Sequence, residues 1–255
     1  MNKGLINIRN SCFDNRLLLN ASKTKLMPFG NRQMIAKIPN FSLPLPGKDL
    51  VPTRCARDLG VIFDDQLYFQ IHTVKTVSSC MRSLTQINRA KHAFDQDLLI
   101  TTIKGLFFSK MFYCSSVCSN TSVTNINKLQ AIQNFAARIV TRSRKFDHIT
   151  RILRWMPVTW DHLFYRDALL TFKCMNGMAS TNLSSRFINR GTISGRLTHN
   201  ANELDIPGYK TATSQRSFLY CAVTIWSNLP SDTKLSSSMT IFKRKLKSHL
   251  LMGRF

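Results

Sequence analysis

The middle of the chain carries apolar side chains at helical spacing. From residue 69 to residue 140 there is no proline, and Gly105 is the only glycine, so nothing in this stretch interrupts a helix. The pattern predicts three helices, near residues 68–93, 95–113 and 122–142.

Short polar side chains mark where two of these helices begin. Asp95 precedes the second helix, and Thr121 and Ser122 precede the third. Each can accept a hydrogen bond from the first unpaired backbone N–H groups of a helix. The third helix also has the clearest two-faced pattern. Its predicted buried stripe consists of Ile126, Leu129, Ile132, Gln133, Ala136, Ile139 and Val140.

The C-terminal part of the sequence predicts further helices around an irregular segment. A helical run near residues 160–176 ends at Asn176 and Gly177, which form an expected C-terminal cap. Residues 178–210 are rich in Ser, Thr, Asn and Gly, and we expect a long loop with at most a short strand near Leu204–Ile206. Two more helices are predicted at residues 215–227 and 239–252.

The N-terminal part has a different pattern. Short apolar runs are separated by prolines and glycines, which is typical of strands and turns. These predicted strands are residues 17–19, 26–29, 34–38 and 59–63. The predicted fold class is therefore mainly α with a small β-rich N-terminal piece, or α+β for the whole chain.

Composition points to a folded protein with a polyanionic partner. The chain has 255 residues, 44% of them hydrophobic, which is enough to bury a core and excludes disorder as the main state. Its 36 Lys and Arg stand against 13 acidic residues, giving a net charge of +23. The apolar run Leu98–Ile103 is far too short to span a membrane, so no membrane partner is expected.

The usual signatures of metal, cofactor and nucleophile sites are missing from the sequence. Seven scattered cysteines predict a reduced, intracellular protein, in the nucleus or the cytoplasm. Cys114 and Cys118 have the spacing of half a zinc site, but no second pair follows them, so we expect packed thiols. The six histidines are isolated, and no glycine pair has the spacing of a phosphate loop. We expect no cofactor and no small-molecule substrate.

Asp64 and Asp65 are the only adjacent carboxylates. A Phe-x-Asp-Asp or Tyr-x-Asp-Asp hairpin holds two metal ions in polymerases, but here Phe63 directly precedes the pair, and that site also needs a third carboxylate on a neighbouring strand. No convincing strand carries one here. The favoured interpretation is that a strand ends and one of the two aspartates caps the following helix.

Cationic clusters are the remaining candidates for chemistry. One lies at the end of the third predicted helix and the other on the last helix; clusters of this kind are solvated faces or phosphate contacts. The tryptophans Trp155, Trp160 and Trp226 could stack on bases, but we expect them to be buried anchors. The clusters are Arg138, Arg142, Arg144 and Lys145, and Lys243, Arg244, Lys245 and Lys247.

Several short sequence blocks along the chain together match the pattern of one protein family. The first are LLLNASKTKLMPF at residues 17–29 and LGVIFDDQLYFQIH at residues 59–72. LQAIQNFAAR at residues 129–138 and LRWMPV at residues 153–158 follow. The series closes with RSF at residues 216–218, WSNLP at residues 226–230 and FKRKLK at residues 242–247. In this order the blocks resemble the reverse transcriptases of non-LTR (LINE-type) retrotransposons, and the resemblance runs from about residue 15 to residue 251.

The resemblance implies a piece of a polymerase without its active site. In the family, these blocks lie after the catalytic aspartate hairpin, which would precede Met1, so Asp64 and Asp65 are not the metal-binding pair. Mg²⁺ would belong to the intact family enzyme only. The implied domains are a remnant of the palm end at 1–64, a helical thumb-like region at 65–180, and a loop with two helices at 181–255.

The family also suggests partners and site residues. Lys23 and Lys25 lie in the segment that is nearest to the primer and nucleotide in the family, so they are expected nucleic-acid contacts. The expected partner is an RNA or DNA template-primer, and no enzymatic activity is expected from this chain alone. Two alternatives stay open: a host-recruited basic helical module that binds nucleic acid or another partner, and an enzyme that uses Asp64 and Asp65.

Overall fold

A computed structural model shows a mainly α protein with a small β-containing N-terminal part. Two compact units, Met1–Phe69 and Gln70–Phe255, make up the chain, and each is described by itself. The predicted fold class is confirmed. The residues described are 2–39, 41–45, 47–118, 121–144, 147, 155, 158, 163–194 and 203–252.

The first unit combines two helices with two separate antiparallel hairpins. Leu43 pairs with Leu50 in one hairpin, and Cys55 pairs with Asp64 in the other. Gly47 and Gly60 have φ values of 89° and 87°, so each hairpin turns at a residue in the left-handed region. The elements are α1 (Asn2–Asp14), α2 (Arg32–Ala36), β1 (Leu43–Leu45), β2 (Lys48–Leu50), β3 (Cys55–Asp58) and β4 (Val61–Asp64).

Some of the strands predicted in this unit are not observed. The expected strand at 34–38 is wrong, because Asn31 accepts a hydrogen bond from the Met34 backbone N–H at 2.7 Å and starts α2 instead. Residues 17–19 form no strand, and Leu26 makes a single bridge to Pro52. The predicted strand at 59–63 is confirmed as β4, shifted by one or two residues. Helix α1 was not predicted.

The second unit begins with the three predicted helices, which are confirmed. Asp95 accepts from the Leu98 N–H at 2.7 Å, and Ser122 accepts from the Asn125 N–H at 3.3 Å, so both expected caps are present. A π-helical segment, Lys104–Phe108, interrupts the middle helix. The elements are α3 (Gln70–Ala90), a 3₁₀ turn (Lys91–Ala93), α4 (Gln96–Ile103), α5 (Ser109–Met111), α6 (Ser115–Cys118) and α7 (Val123–Thr141).

These helices enclose the first hydrophobic core. The apolar stripe predicted for α7 is buried, except that Leu129 is only partly so. Gln133 is buried with the stripe because its side-chain oxygen accepts a hydrogen bond from the Val158 N–H at 3.0 Å. Phe107 is fully buried, and its neighbour Phe108 packs edge-on against Trp155 with ring centroids 4.9 Å apart. The π segment therefore places two consecutive aromatic side chains in the same core.

A second core lies in the C-terminal part of this unit. Phe172, Trp226 and Phe242 form its centre, with the rings of Phe172 and Phe242 stacked 4.2 Å apart. Gly177 has a φ of 68°, as expected for the predicted helix cap. The helices are α8 (Leu163–Met175), α9 (Thr181–Ser184), α10 (Arg190–Ser194), α11 (Ala212–Gln215), α12 (Phe218–Ser227), α13 (Ser231–Lys234) and α14 (Met239–Met252).

The segment expected to be a long loop is partly ordered by short helices. Helices α9 and α10 lie within it, and Leu204 makes an isolated antiparallel bridge to Asn189. Leu204 is 1% exposed and belongs to the second core, so the expected strand is reduced to one anchored residue. Residues 195–202 lie outside the described part.

Arg166 on α8 connects the two cores. Its guanidinium donates to the Phe112 carbonyl at 2.8 Å and lies over the Phe112 ring at 4.9 Å from the centroid. Burial lowers the pKa of Arg166, and the carbonyl and the ring replace the water that it loses. Within the described residues, no helix is both long enough and apolar enough to cross a membrane.

The second core offers a matched test of burial. Leu246 on α14 is 0% exposed, whereas Leu235 after α13 is 83% exposed. We expect Leu246→Ala to lower the free energy of unfolding by about 2–5 kcal/mol, because it leaves a cavity. Leu235→Ala should change it by about 0.5 kcal/mol or less. Urea denaturation of both variants measures the difference, and equal effects would contradict this core.

Candidate nucleic-acid interface

The cationic cluster on α14 presents three free side chains to solvent. Lys243, Arg244 and Lys247 are exposed, while Phe242 and Leu246 on the opposite side are fully buried. The helical period therefore separates the charges from the core. Lys245 differs from the other three, because its ammonium pairs with Asp232 at 3.6 Å and donates to the Asp232 carbonyl at 2.7 Å.

The predicted cluster at the end of α7 is partly engaged inside the fold. Arg138 is half-buried, and Arg142 is in the left-handed region with a φ of 53°. One Arg142 nitrogen donates to the Phe94 carbonyl at 3.3 Å. Arg144 is exposed, with its backbone N–H donating to Asp147 at 2.7 Å. Lys145 lies outside the described residues.

Lys23 and Lys25 lie on a tight turn of the first unit. The side-chain oxygen of Asn20 accepts hydrogen bonds from the backbone N–H groups of Ser22 at 3.0 Å and Lys23 at 3.2 Å. This turn is typical of asparagine. Both lysine side chains are exposed. Because they belong to the other unit, they form a candidate contact of their own.

Helix α3 carries a cationic face that the sequence analysis did not identify. Lys75, Arg82 and Arg89 are all exposed and follow one another at intervals of seven residues. This spacing places them on one side of the helix, over about 21 Å of its length. The exposed apolar residues Ile71 and Met81 lie beside them. A search for cations at heptad spacing would have found this face.

Acidic side chains neutralise little of this charge. The three longest described helices, α3, α7 and α14, contain no Asp or Glu. Among the described residues, Arg190 pairs with Glu203 at 3.3 Å and Lys245 pairs with Asp232 at 3.6 Å. Both are partly exposed and contribute little to stability. Such acid-free cationic faces are suited to contact phosphates, since each contact releases counterions.

The adjacent aspartates have different environments. The Asp64 carboxylate accepts three backbone hydrogen bonds, from Gln66 at 3.2 Å, Tyr68 at 2.8 Å and Phe69 at 2.6 Å. Asp64 therefore caps the turn that precedes α3, rather than the first free N–H groups of α3 itself. Leu67 and Phe69 in this turn have φ values of 56° and 57°. The carboxylate therefore stabilises a strained backbone conformation.

The other candidate ligands do not assemble into a metal centre. Within the described residues, no three His, Cys, Asp or Glu side chains lie together in a way that could hold a metal ion. All seven cysteines are free thiols. Burial raises the pKa of Cys80 to about 11, as for an inert packed thiol. Trp226 is 9% exposed and is a core anchor, whereas Trp160 lies outside the described residues.

The hydrogen bonds of Asp64 predict that the same substitution affects stability differently at the two aspartates. We expect Asp64→Asn to lower the free energy of unfolding by about 1–3 kcal/mol, because three N–H groups lose a charged acceptor. Asp65→Asn should leave it unchanged within about 0.5 kcal/mol. Urea denaturation with and without Mg²⁺ measures both effects. Stabilisation of the wild type by Mg²⁺ that both variants abolish would contradict the capping role.

Known proteins offer no further guide to this surface. No protein-family model, no curated protein and no solved structure matches the chain. The resemblance to reverse transcriptases is therefore carried by the sequence blocks alone.

Proposed function

We propose that this chain binds an RNA or DNA template-primer through the cationic faces of its helical unit. In this proposal it derives from the C-terminal part of a non-LTR retrotransposon reverse transcriptase and does not carry the polymerase active site. One observation supports binding above all others. Helices α3 and α14 each present three exposed cations, and neither helix contains an acidic residue.

The spacing of these cations suits a strand of phosphates. Steps of seven residues along α3 correspond to about 10 Å, so each side chain can reach a different phosphate. None of Lys75, Arg82 and Arg89 takes part in an ion pair among the described residues. Binding would therefore exchange counterions for phosphates without first breaking an internal ion pair.

The first unit supports the reverse-transcriptase part of the proposal. Its two hairpins are separate two-stranded sheets, which are marginally stable when isolated. Leu18 is 80% exposed and Leu59 is 82% exposed. Exposed apolar side chains beside short strands are expected where a small sheet completes a larger domain. Asp64 belongs to a turn and Asp65 lines a cavity, so we propose no polymerase metal site at this pair.

A second candidate function is a host-recruited binding module without enzymatic activity. The helical unit favours it in one respect, because it has two cores of its own, centred on residues such as Phe107 and Phe242. Such a unit can fold without a polymerase palm. A recruited module should prefer one nucleic acid, RNA, DNA or their hybrid, whereas a piece of a polymerase should bind all three through the backbone.

Salt-dependent binding tests the proposed interface. We expect the chain to bind an RNA–DNA hybrid duplex with an affinity that falls steeply as KCl rises, measured by fluorescence anisotropy. The triple variant Lys75→Gln, Arg82→Gln, Arg89→Gln should weaken binding on the order of a hundredfold near 0.1 M salt. The slope of log affinity against log salt should fall by about one for each lost contact.

A second triple variant controls for net charge. Lys48→Gln, Arg57→Gln and Lys210→Gln remove the same charge from exposed positions outside the proposed faces. We expect this control to keep nearly wild-type affinity. Equal weakening of the two variants would show that only the total charge matters, and it would contradict a defined interface.

Primer extension tests the absence of polymerase activity. We expect the purified chain to give no extended product from a primed RNA template with deoxynucleotides and Mg²⁺, because the paired aspartates of the family are not among its residues. Extension that survives repurification and is lost in the Asp64→Asn variant would overturn the proposal in favour of an enzyme.

A further inference from the structure

The first unit contains a cavity that the proposed function does not use. Its volume is about 310 Å³, which lies at the lower end of the range for small-molecule sites. Most of the residues that line it are apolar, including Pro28, Ile35, Phe41 and Pro52. Asp65 and Arg54 are the charged residues that line it.

Asp65 is buried in this wall without a partner for its carboxylate. The residue is 8% exposed, although its backbone is satisfied: its N–H donates to the Arg54 carbonyl at 3.1 Å, and its carbonyl accepts from Gly30 at 3.0 Å. Within the described part of the chain, its side chain makes no hydrogen bond and no ion pair. Neither Asp65 oxygen is among the fully buried side-chain atoms that lack a partner, so the carboxylate is open to the cavity and available as an acceptor to a ligand.

Arg54 restricts what that ligand can be. Its side chain is exposed and lines the same cavity, yet it forms no ion pair with Asp65 within 4.0 Å. A cationic ligand would be repelled by the guanidinium. A ligand that presents neutral N–H donors to Asp65 and an anionic group to Arg54 satisfies both charges. A nucleotide has this arrangement, with its base at one end and its phosphate at the other.

Among the bases, guanine fits a carboxylate best. Its Watson–Crick edge presents two adjacent donors, N1–H and the 2-amino group, to the two acceptor oxygens of a carboxylate. Adenine and cytosine present one amino group beside a ring nitrogen acceptor, which a second carboxylate oxygen would repel. The flat faces of Phe41 and the proline rings suit stacking on an unpaired base.

We infer that this cavity binds an unpaired guanine, with Asp65 accepting from N1–H and the 2-amino group and Arg54 contacting the phosphate. The inference deepens the proposed function, because it names the base that a bound strand would insert. In this inference Asp65 and Arg54 form a contact within the first unit, separate from the phosphate contacts proposed for the helical unit. The site then gives a basic protein a preference that phosphate contacts alone do not supply.

Binding of mononucleotides to the full chain tests the site directly. Guanosine monophosphate and inosine monophosphate have the same charge and differ by the 2-amino group, so their affinities isolate the contact to Asp65. We expect guanosine monophosphate to bind about tenfold more tightly than inosine or adenosine monophosphate, measured by calorimetry. Asp65→Asn should abolish this difference, and the exposed control Asp58→Asn should keep it.

A short oligothymidylate with one central guanine or hypoxanthine provides the second arm. A guanine preference in the strand assigns the site to unpaired nucleic acid, and a preference confined to the mononucleotide assigns it to a free guanine nucleotide. Equal affinities of wild-type protein for the guanine and inosine nucleotides overturn the inference, whatever the variants do. If no oligonucleotide binds at low salt, the proposed function fails, while the mononucleotides still decide on this cavity.

Discussion

A half-buried cation, Arg166, joins the two cores on which the helical unit depends. In a chain with a net charge of +23, nearly every other cation gains by facing water. This guanidinium is partly removed from water, and the Phe112 carbonyl and ring compensate it. With α8 held in this way, the first core fixes the rotation of α3 and the second fixes that of α14. The fixed rotations decide which face of each helix remains exposed.

Those exposed faces connect the packing to the proposed function. Apolar positions such as Leu84 on α3 and Leu246 on α14 are fully buried, so the cations of the same helices must lie outside. The chain has few acidic residues to compensate them, and self-repulsion opposes the compact state. The two hydrophobic cores therefore stabilise the fold against its own charge. A bound polyanion would reduce this repulsion, so the proposed binding would also stabilise the fold.

The pair Asp64 and Asp65 shows how one residue of displacement changes the role of a carboxylate. Asp64 ends β4 and accepts three N–H groups of the following turn. Asp65, the next residue, accepts none of these N–H groups and lines a cavity instead. Its backbone is hydrogen-bonded to Arg54 and Gly30. The same chemical group thus stabilises local backbone at one position and stays available to a ligand at the next.

Sequence alone determined the long helices, their caps at Asp95 and Ser122, and the buried stripe of α7, because these features depend on local spacing and local hydrogen bonds. It also determined the excess of positive charge, from which the prediction of a polyanionic partner follows. It failed at Met34, where an asparagine cap outweighed a strand-like pattern. Only the tertiary structure showed that the Arg142 side chain donates to the Phe94 carbonyl and that α3 presents a cationic face. It also showed that the Asp65 carboxylate has no protein partner among the described residues. Exposure and pairing of a side chain depend on residues distant in sequence, and local patterns carry no information about those neighbours.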